Sequence, residues 1–402
     1  MAITLRLMSG RIARGAIAGV CLLALFSAAC EQKPAQVKPI KPTAGPVEAA
    51  PSEESAPTPE PTPAPEPAPT PAPTPDAPPA EVTFTVAHHP EADLRLVTYN
   101  ILWNTIFEEE SVEGAAKFAR VVRALDPDIL AVQEIGLPAW KREQDPNARD
   151  WSAEDVTRVM NKVAPQPGGA TWHVFQAFDN VIISKYPLKM TAEETVPPGE
   201  RKQALALIDL PDDRFAVDFY LLNNHYKCCG GEQNDPRRQQ QSDSIIAWLR
   251  DAREAGGEID LPKGTPFAVV GDLNIVGTFQ PVQTLIDGNI SDEDIYGADG
   301  APDWDGTPLT DLHPRHNGVG PDDYTWRDDN SEWKPGRLDY IIFTDSVLEP
   351  MRQFVLNTTT LSDADLKAAG LEKFDITVDD VGKEFDHMPL VVDFRVRPLV
   401  SE

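Results

Sequence analysis

Short apolar runs recur along the later part of the chain, at 94–102, 129–135, 180–184, 204–210, 215–224, 267–273, 338–343 and 390–396. Each has the length and composition of a strand. Between them, 112–125, 153–163 and 237–254 repeat their apolar residues at the helical period. Some runs follow one another at hairpin spacing and others are separated by a helix. That mixture predicts an α/β domain with substantial antiparallel sheet. The stretch 287–329 is rich in Asp, Gly and Pro and is expected to form loops on the rim of the domain. No internal repeat is visible.

The pattern is missing before residue 81. Many of the 39 prolines crowd between Pro34 and Pro79, in repeats such as Ala-Pro-Thr-Pro and Ala-Pro-Glu-Pro that favour polyproline II and lack core-forming residues. Residues 30–80 are therefore expected to be a disordered tether. At ~3.1 Å per residue it could reach on the order of 150 Å, although an export-tolerant linker of no particular reach fits equally. Residues 1–29 read as an export signal: Arg6, Arg11 and Arg14 precede an apolar run too short to span a bilayer comfortably. The run ends Ser27-Ala28-Ala29-Cys30, which resembles the bacterial lipoprotein cleavage box except for Ser27 where leucine is usual. Cys30 would then be the lipidated first residue of the mature chain, in the bacterial cell envelope. The alternative is an ordinary secretory signal cleaved after Ala28 or Ala29. One large folded domain, 81–402, remains, with ample size for a core.

The formal net charge is −28, and the segment before residue 81 carries almost none of it. Such an acidic domain disfavours non-specific nucleic-acid binding through a basic face. Bound divalent cations can nonetheless reverse the local sign around a phosphate. The four cysteines, Cys21, Cys30, Cys228 and Cys229, form neither a disulfide framework nor a zinc-finger spacing.

Most apolar runs end in a carboxylate, amide or imidazole. Tyr99-Asn100, Gln133-Glu134, Asn224-His225, Gly271-Asp272-Leu273-Asn274, Leu338-Asp339-Tyr340 and Asp386-His387-Met388-Pro389-Leu390 are the six groups. On a strand, Asp272 and Asn274 would share one face. Gly271 before them would admit a substrate or a neighbouring backbone. Asn100, Glu134 and Asp272 offer hard oxygen ligands of the kind Mg²⁺, Mn²⁺ or Ca²⁺ prefers. His225 and His387 could donate to phosphate oxygens. Together these supply what phosphoester hydrolysis needs.

In this order, over residues 90–396, the six motifs resemble the endonuclease/exonuclease/phosphatase superfamily, the deoxyribonuclease I-like fold. The resemblance implies a four-layer α-β-β-α sandwich, two packed mainly antiparallel sheets flanked by helices. It implies that Asn100, Glu134 and Asp386 serve the metal, Glu134 most directly. Asp272 would activate or orient water, and Asn274 would grip the phosphate or orient its neighbour. His225 would donate to a non-bridging oxygen and His387 would contact the scissile phosphate. Asp339 would orient that histidine; otherwise it would pair with Arg337. Arg201 falls where members often carry a phosphate-binding arginine. Asp311 is expected to be structural.

Two segments depart from the family. Asp179-Asn180 stands where a glycine is usual, and either residue tolerates a left-handed backbone. Cys228-Cys229-Gly230-Gly231 follows His225; its thiols could close a strained vicinal disulfide or remain thiols packed in a turn, and soft thiolates do not suit a hard cation. The resulting expectation is an exported, monomeric, divalent-metal-dependent nuclease or phosphodiesterase, with Mg²⁺ ahead of Mn²⁺ or Ca²⁺. The alternatives are a phosphoesterase acting on lipid headgroups, inositol phosphates or other small molecules, and a non-catalytic envelope binding protein.

Overall fold

Period-2 alternation organises the strands of this domain, as a computed structural model shows. The structure describes residues 84–399 apart from 103–111, 137–142, 144–149, 195–200, 330–331 and 377–385. The signal (1–29), Cys30 and the tether (30–80) lie outside the described residues. The chain divides into two units between Asp76 and Ala77, and every described residue belongs to the second.

Two six-stranded sheets pack face to face. In chain order the first is built from β1 (Leu94–Asn100), β2 (Ile129–Gln133), β3 (His173–Ala177), β4 (Asn180–Ser184), β11 (Leu348–Val355) and β12 (Leu390–Val396). Its strand order is β11-β12-β1-β2-β4-β3. The second contains β5 (Leu188–Glu194), β6 (Gln203–Ile208), β7 (Phe219–His225), β8 (Phe267–Asp272), β9 (Thr310–Asp311) and β10 (Asp339–Phe343), ordered β5-β6-β7-β8-β10-β9. Each sheet has one parallel pair, β1 with β2 and β7 with β8; the other neighbours are antiparallel. A helix makes each parallel crossover: α1 (Val112–Leu125) between β1 and β2, and α3 (Asp235–Arg253) between β7 and β8. With α2 (Ala153–Val163) and α4 (Gln280–Asp287), these helices complete the expected α-β-β-α layering. Helix α2 begins in a capping box, in which Ser152 Oγ accepts from Asp155 N–H and the Asp155 carboxylate accepts from Ser152 N–H.

On β7, β8 and β10, alternate residues serve different cores. Phe219, Leu221, Ala268, Val270, Ile341 and Phe343 fill the space between the sheets. Tyr220, Leu222, Phe267, Val269, Tyr340 and Ile342 pack outward with Ile245, Leu249, Val282 and Leu285 of α3 and α4. Burial on both faces explains why these strands read as continuous apolar runs. The eight runs of the sequence correspond to the eight interior strands. The four edge strands, β3, β5, β9 and β11, escape that reading because an edge strand has one partner and tolerates polar residues. Strand β11 even carries Pro350 at a register shift. The stretch 287–329 is mostly loop, relieved by the short helix α5 (Glu293–Tyr296) and by β9.

On the outer face of the first sheet, Arg95 of β1 lies opposite Asp393 of β12. Both are fully buried, and the guanidinium donates to both Asp393 oxygens and to the carbonyls of Val86, Ala87 and Leu125. Removing the anion would leave a buried cation without its charge partner. Asp393→Ala is expected to lower unfolding free energy by about 3–5 kcal/mol in a urea titration. A loss below about 1 kcal/mol would show that solvent reaches the guanidinium.

Candidate active site

Strand direction gathers the polar strand ends at one rim of the sandwich. The carboxyl ends of parallel β1 and β2 align, as do those of β7 and β8. Strands β4, β10 and β12 run antiparallel to their neighbours and bring their amino ends to the same edge. The register sets His225, Asp272 and Asp339 side by side on three adjacent strands. All three occupy the inward-facing column, continuing past the apolar residues that fill the sandwich. Across the gap, Asn100 Nδ2 donates to Asp272 Oδ2 at 3.1 Å and to Glu134 Oε1 at 3.2 Å, joining the two sheets.

Alternation alone does not aim every group. Gln133 points between the sheets and donates to Asn223 Oδ1, so a regular strand would turn the next side chain away. Glu134 instead has φ 62° and swings its carboxylate back over the strand ends. Asn274 likewise lies beyond β8 with φ 50°. The expectation that Asp272 and Asn274 share a strand face is therefore corrected: a left-handed turn brings Asn274 Nδ2 to within 3.0 Å of Asp272 Oδ2. At Gly271, φ is 121° and an added Cβ would stand 2.0 Å from the Asn224 carbonyl. The glycine thus serves the close approach of neighbouring backbone.

Both imidazoles are held in the same way. His387 Nδ1 lies 2.7 Å from Asp339 Oδ2, and its Nε2 lies 3.6 Å from Asp272 Oδ2. His225 Nδ1 lies 2.9 Å from Asp179 Oδ2, and its Nε2 lies 3.6 Å from both Glu134 Oε1 and Asp272 Oδ2. Each imidazole is thus fixed through one nitrogen by a buried carboxylate and turns the other toward the acidic centre. Burial opposes charge on His387, but Asp339, Asp272 and Asp386 outweigh it and hold its pKa well above the usual histidine value. Burial pushes the Glu134 and Asp272 carboxyls up, against the pull of the two histidines.

The remaining positions arrange themselves around this centre. Asp386 Oδ1 lies 3.3 Å from His387 Nε2. Asp339 does not take Arg337 as its partner; that guanidinium pairs with Asp311 and with the Leu312 carbonyl, giving Asp311 a structural ion pair. Arg201 Nε is 2.9 Å from Asp179 Oδ2, and its Nη1 donates to the Tyr226 carbonyl at 3.0 Å. Burial alone would lower the Arg201 pKa, but Asp179 and Glu134 raise it. Asp179 was legible in the sequence only as a turn residue, yet it holds both His225 and Arg201. The left-handed residue of that turn is Phe178, at φ 57°, rather than Asp179 or Asn180.

A family model described as the Endonuclease/Exonuclease/phosphatase family matches residues 97–363, most of the chain. The chain belongs to this family. Its members are phosphoester hydrolases, and the chain is an enzyme of that class. No curated protein sequence matches it. Among solved structures, it is similar to an endonuclease/exonuclease/phosphatase from Beutenbergia cavernae, with 19% identity, 77% of this chain and 72% of that chain covered, and a TM-score of 0.46. A family protein from Leptotrichia buccalis gives 15% identity, 75% and 100% coverage and a TM-score of 0.45. D. rerio TDP2, solved with a single-strand DNA product, gives 14% identity, 75% and 98% coverage and a TM-score of 0.41.

Members of the endonuclease/exonuclease/phosphatase family typically use divalent metals, and the donor set here fits a hard cation. Glu134 Oε2 is buried without a hydrogen-bond partner. Potential ligand atoms of Glu134, His225 and Asp272 lie within 4.8 Å of one another, as do those of Asp272, Asp339 and His387. Asn100 turns its amide nitrogen toward the carboxylates while its oxygen accepts from Leu102 N–H. To offer oxygen to a cation, that amide would rotate and release Leu102. Burial raises both carboxyls, so a cation held here would be expected to compete with protons on Glu134 and Asp272. Calorimetric titration with Mn²⁺ or Mg²⁺ in buffers of different ionisation enthalpy should show proton release, with affinity rising as pH increases above the ordinary carboxylate range. Binding unaffected by pH there would count against these ligands.

Proposed function

We propose that this chain is an exported, lipid-anchored, divalent-cation-dependent phosphodiesterase acting on nucleic acid. The observation that carries the reading is the pair of carboxylate-held imidazoles whose Nε2 atoms each stand 3.6 Å from Asp272 Oδ2. A group poised between two such donors and a buried carboxylate matches a phosphorus centre with an attacking water beside it.

Glu134 is the principal cation ligand, with Asn100 and Asp386 supporting it. Bound there, the cation supplies charge that offsets the developing negative charge on phosphorus-bound oxygen. Asp272 accepts a proton from the attacking water, and the amides of Asn100 and Asn274 orient its carboxylate. His225 and His387 donate through Nε2 to phosphate oxygens, while Asp179 and Asp339 hold the opposite nitrogens. Arg201 reaches the phosphate through Nη2, since its Nε and Nη1 are engaged by Asp179 and Tyr226. The water oxygen bonds to phosphorus as the ester P–O bond breaks; the leaving oxygen keeps that bond's electron pair and takes a proton from solvent, yielding a phosphate monoester and a free hydroxyl.

A second reading is hydrolysis of a small soluble phosphoester, favoured by the net charge of −28. Long polyanions pay for approach to such a surface, whereas a small ester needs only the cation and the rim donors. Cleavage of plasmid and oligonucleotide, compared with small phosphodiesters in Mg²⁺, Mn²⁺ and Ca²⁺, separates the two. Release of small products without strand cleavage would favour the second. In either case, His387→Ala and Asp272→Ala should lower turnover by about 10²–10⁴-fold. Asp179→Asn and Asp339→Asn should each cost at least about tenfold in turnover at temperatures where their unfolding curves show the variants fully folded. Full activity in His387→Ala would remove the basis for this mechanism.

The lipid anchor is proposed from the resemblance of Ser27-Ala28-Ala29-Cys30 to a lipoprotein cleavage box; the alternative is a secretory signal cleaved after Ala28 or Ala29. Cys30→Ser should move the protein from the membrane to the soluble fraction and abolish labelling by a radioactive fatty acid. Membrane retention with no label in the wild type would point to another mode of attachment.

A further inference from the structure

The catalytic reading leaves the adjacent pair Cys228 and Cys229 without a role, although they follow β7 by only a few residues. Both are thiols, with Sγ atoms 3.1 Å apart and the Cys229 thiol donating to Cys228. Cys229 is exposed and has φ 71°, a left-handed conformation that side chains rarely adopt. Surrounding groups brace this bend. Arg238, fully buried on α3, donates to the carbonyls of Lys227 at 2.7 Å and Cys229 at 2.9 Å. Asn234 Nδ2 donates to the carbonyls of Cys229 and Gly230. One residue upstream of Lys227, the Tyr226 carbonyl accepts from Arg201 Nη1 at 3.0 Å and from Asn274 Nδ2 at 3.3 Å. The backbone carrying the dithiol is therefore the same backbone on which two residues of the candidate site rest.

We propose that Cys228 and Cys229 form a reversible thiol–disulfide modification site whose state is transmitted to Arg201 and Asn274 through the Tyr226 carbonyl. The coupling to catalysis rests on the phosphoesterase reading; the chemistry of the pair does not. The oxidant is a small disulfide. The Cys228 thiolate attacks one sulfur, a mixed disulfide forms, the oxidant's S–S bond breaks, and one thiolate leaves. Cys229 then loses its proton to solvent and attacks Cys228 Sγ, expelling the second thiolate. The protein gives up two electrons and the Cys229 proton, and the oxidant leaves as two thiolates that take up protons from solvent.

Neighbouring groups suit Cys228 to act first. The hydrogen bond from Cys229, together with Arg201, Lys227 and His225, outweighs burial and holds its pKa down to about 4. Closure brings the sulfurs from 3.1 Å to ~2.05 Å across a single peptide unit. Adjacent Cα atoms are only ~3.8 Å apart, closer than the usual disulfide span, so the ring strains the backbone and opens readily in reductant. That strain pulls against the Arg238 clamp and shifts the carbonyl that Arg201 and Asn274 share.

The test treats the full chain with oxidised glutathione, then alkylates and digests it with trypsin. The peptide 228–237 contains both cysteines of the pair. The expected product is this peptide lighter by two hydrogens and unlabelled, while Cys229→Ser retains one glutathione on Cys228. Turnover of the oxidised wild type should fall about tenfold or more and return with dithiothreitol. Amide exchange over 201–205 and 272–276 should change in parallel. A peptide that keeps two alkyl groups, or bears only glutathione, overturns the modification site. Ring closure with neither turnover nor exchange altered overturns the coupling. If the reduced protein hydrolyses no phosphoester, the catalytic reading fails, and the mass and exchange results still decide this proposal.

Discussion

Two carboxylates, the partly buried Glu134 and the buried Asp272, must coexist at the rim of a water-poor sandwich. With ligand atoms within 4.8 Å, both ionised, they would repel by roughly 3–4 kcal/mol at an effective dielectric of ~20. Desolvation adds to that cost and pushes both acids toward the protonated form. The surroundings meet this constraint with positive or proton-donating groups: the Asn100 amide between the acids, two imidazoles facing them, and the Arg201 guanidinium beyond. The same arrangement that relieves the acids has the chemistry to suit a cation and a phosphate.

The sandwich supplies this arrangement through a simple continuation. On β7, β8 and β10, the inward column is apolar between the sheets, apart from Asn223, and becomes His225, Asp272 and Asp339 at the rim. The apolar part fixes register, because a slip of one residue would turn every one of these side chains to the opposite face. Site geometry is thus inherited from core packing, and the rim is rigid to the extent that the core is close-packed.

Where alternation aims a group wrongly, the chain uses local strain. Glu134 and Asn274 adopt left-handed backbones directly beyond β2 and β8, and Phe178 does so one residue before Asp179. Each such conformation is costly for a residue with a side chain and persists because the surrounding contacts over-determine it. Cys229 belongs to the same set of rim residues. Its position under the Arg238 clamp explains why the dithiol loop and the site share a backbone.

Composition and periodicity determined the eight interior strands, the three crossover and flanking helices they name, and the identity of the polar strand ends, because residues buried on both faces leave a continuous apolar record. The edge strands left no such record: half-exposed β3, β5 and β11 mix polar and apolar residues, and β9 is two residues long. Sequence order could name Asn100, Glu134, Asp272 and His387, but only tertiary structure decided how they face one another. Asp179 became a partner of His225 because β4 begins at the rim where β7 ends, and Arg337 went to Asp311 because β9 pairs with β10. Such pairings join residues far apart in the chain, through side-chain directions set by register and by single left-handed residues. Neither is written in local sequence pattern, which carries the burial of each segment but not the geometry between segments.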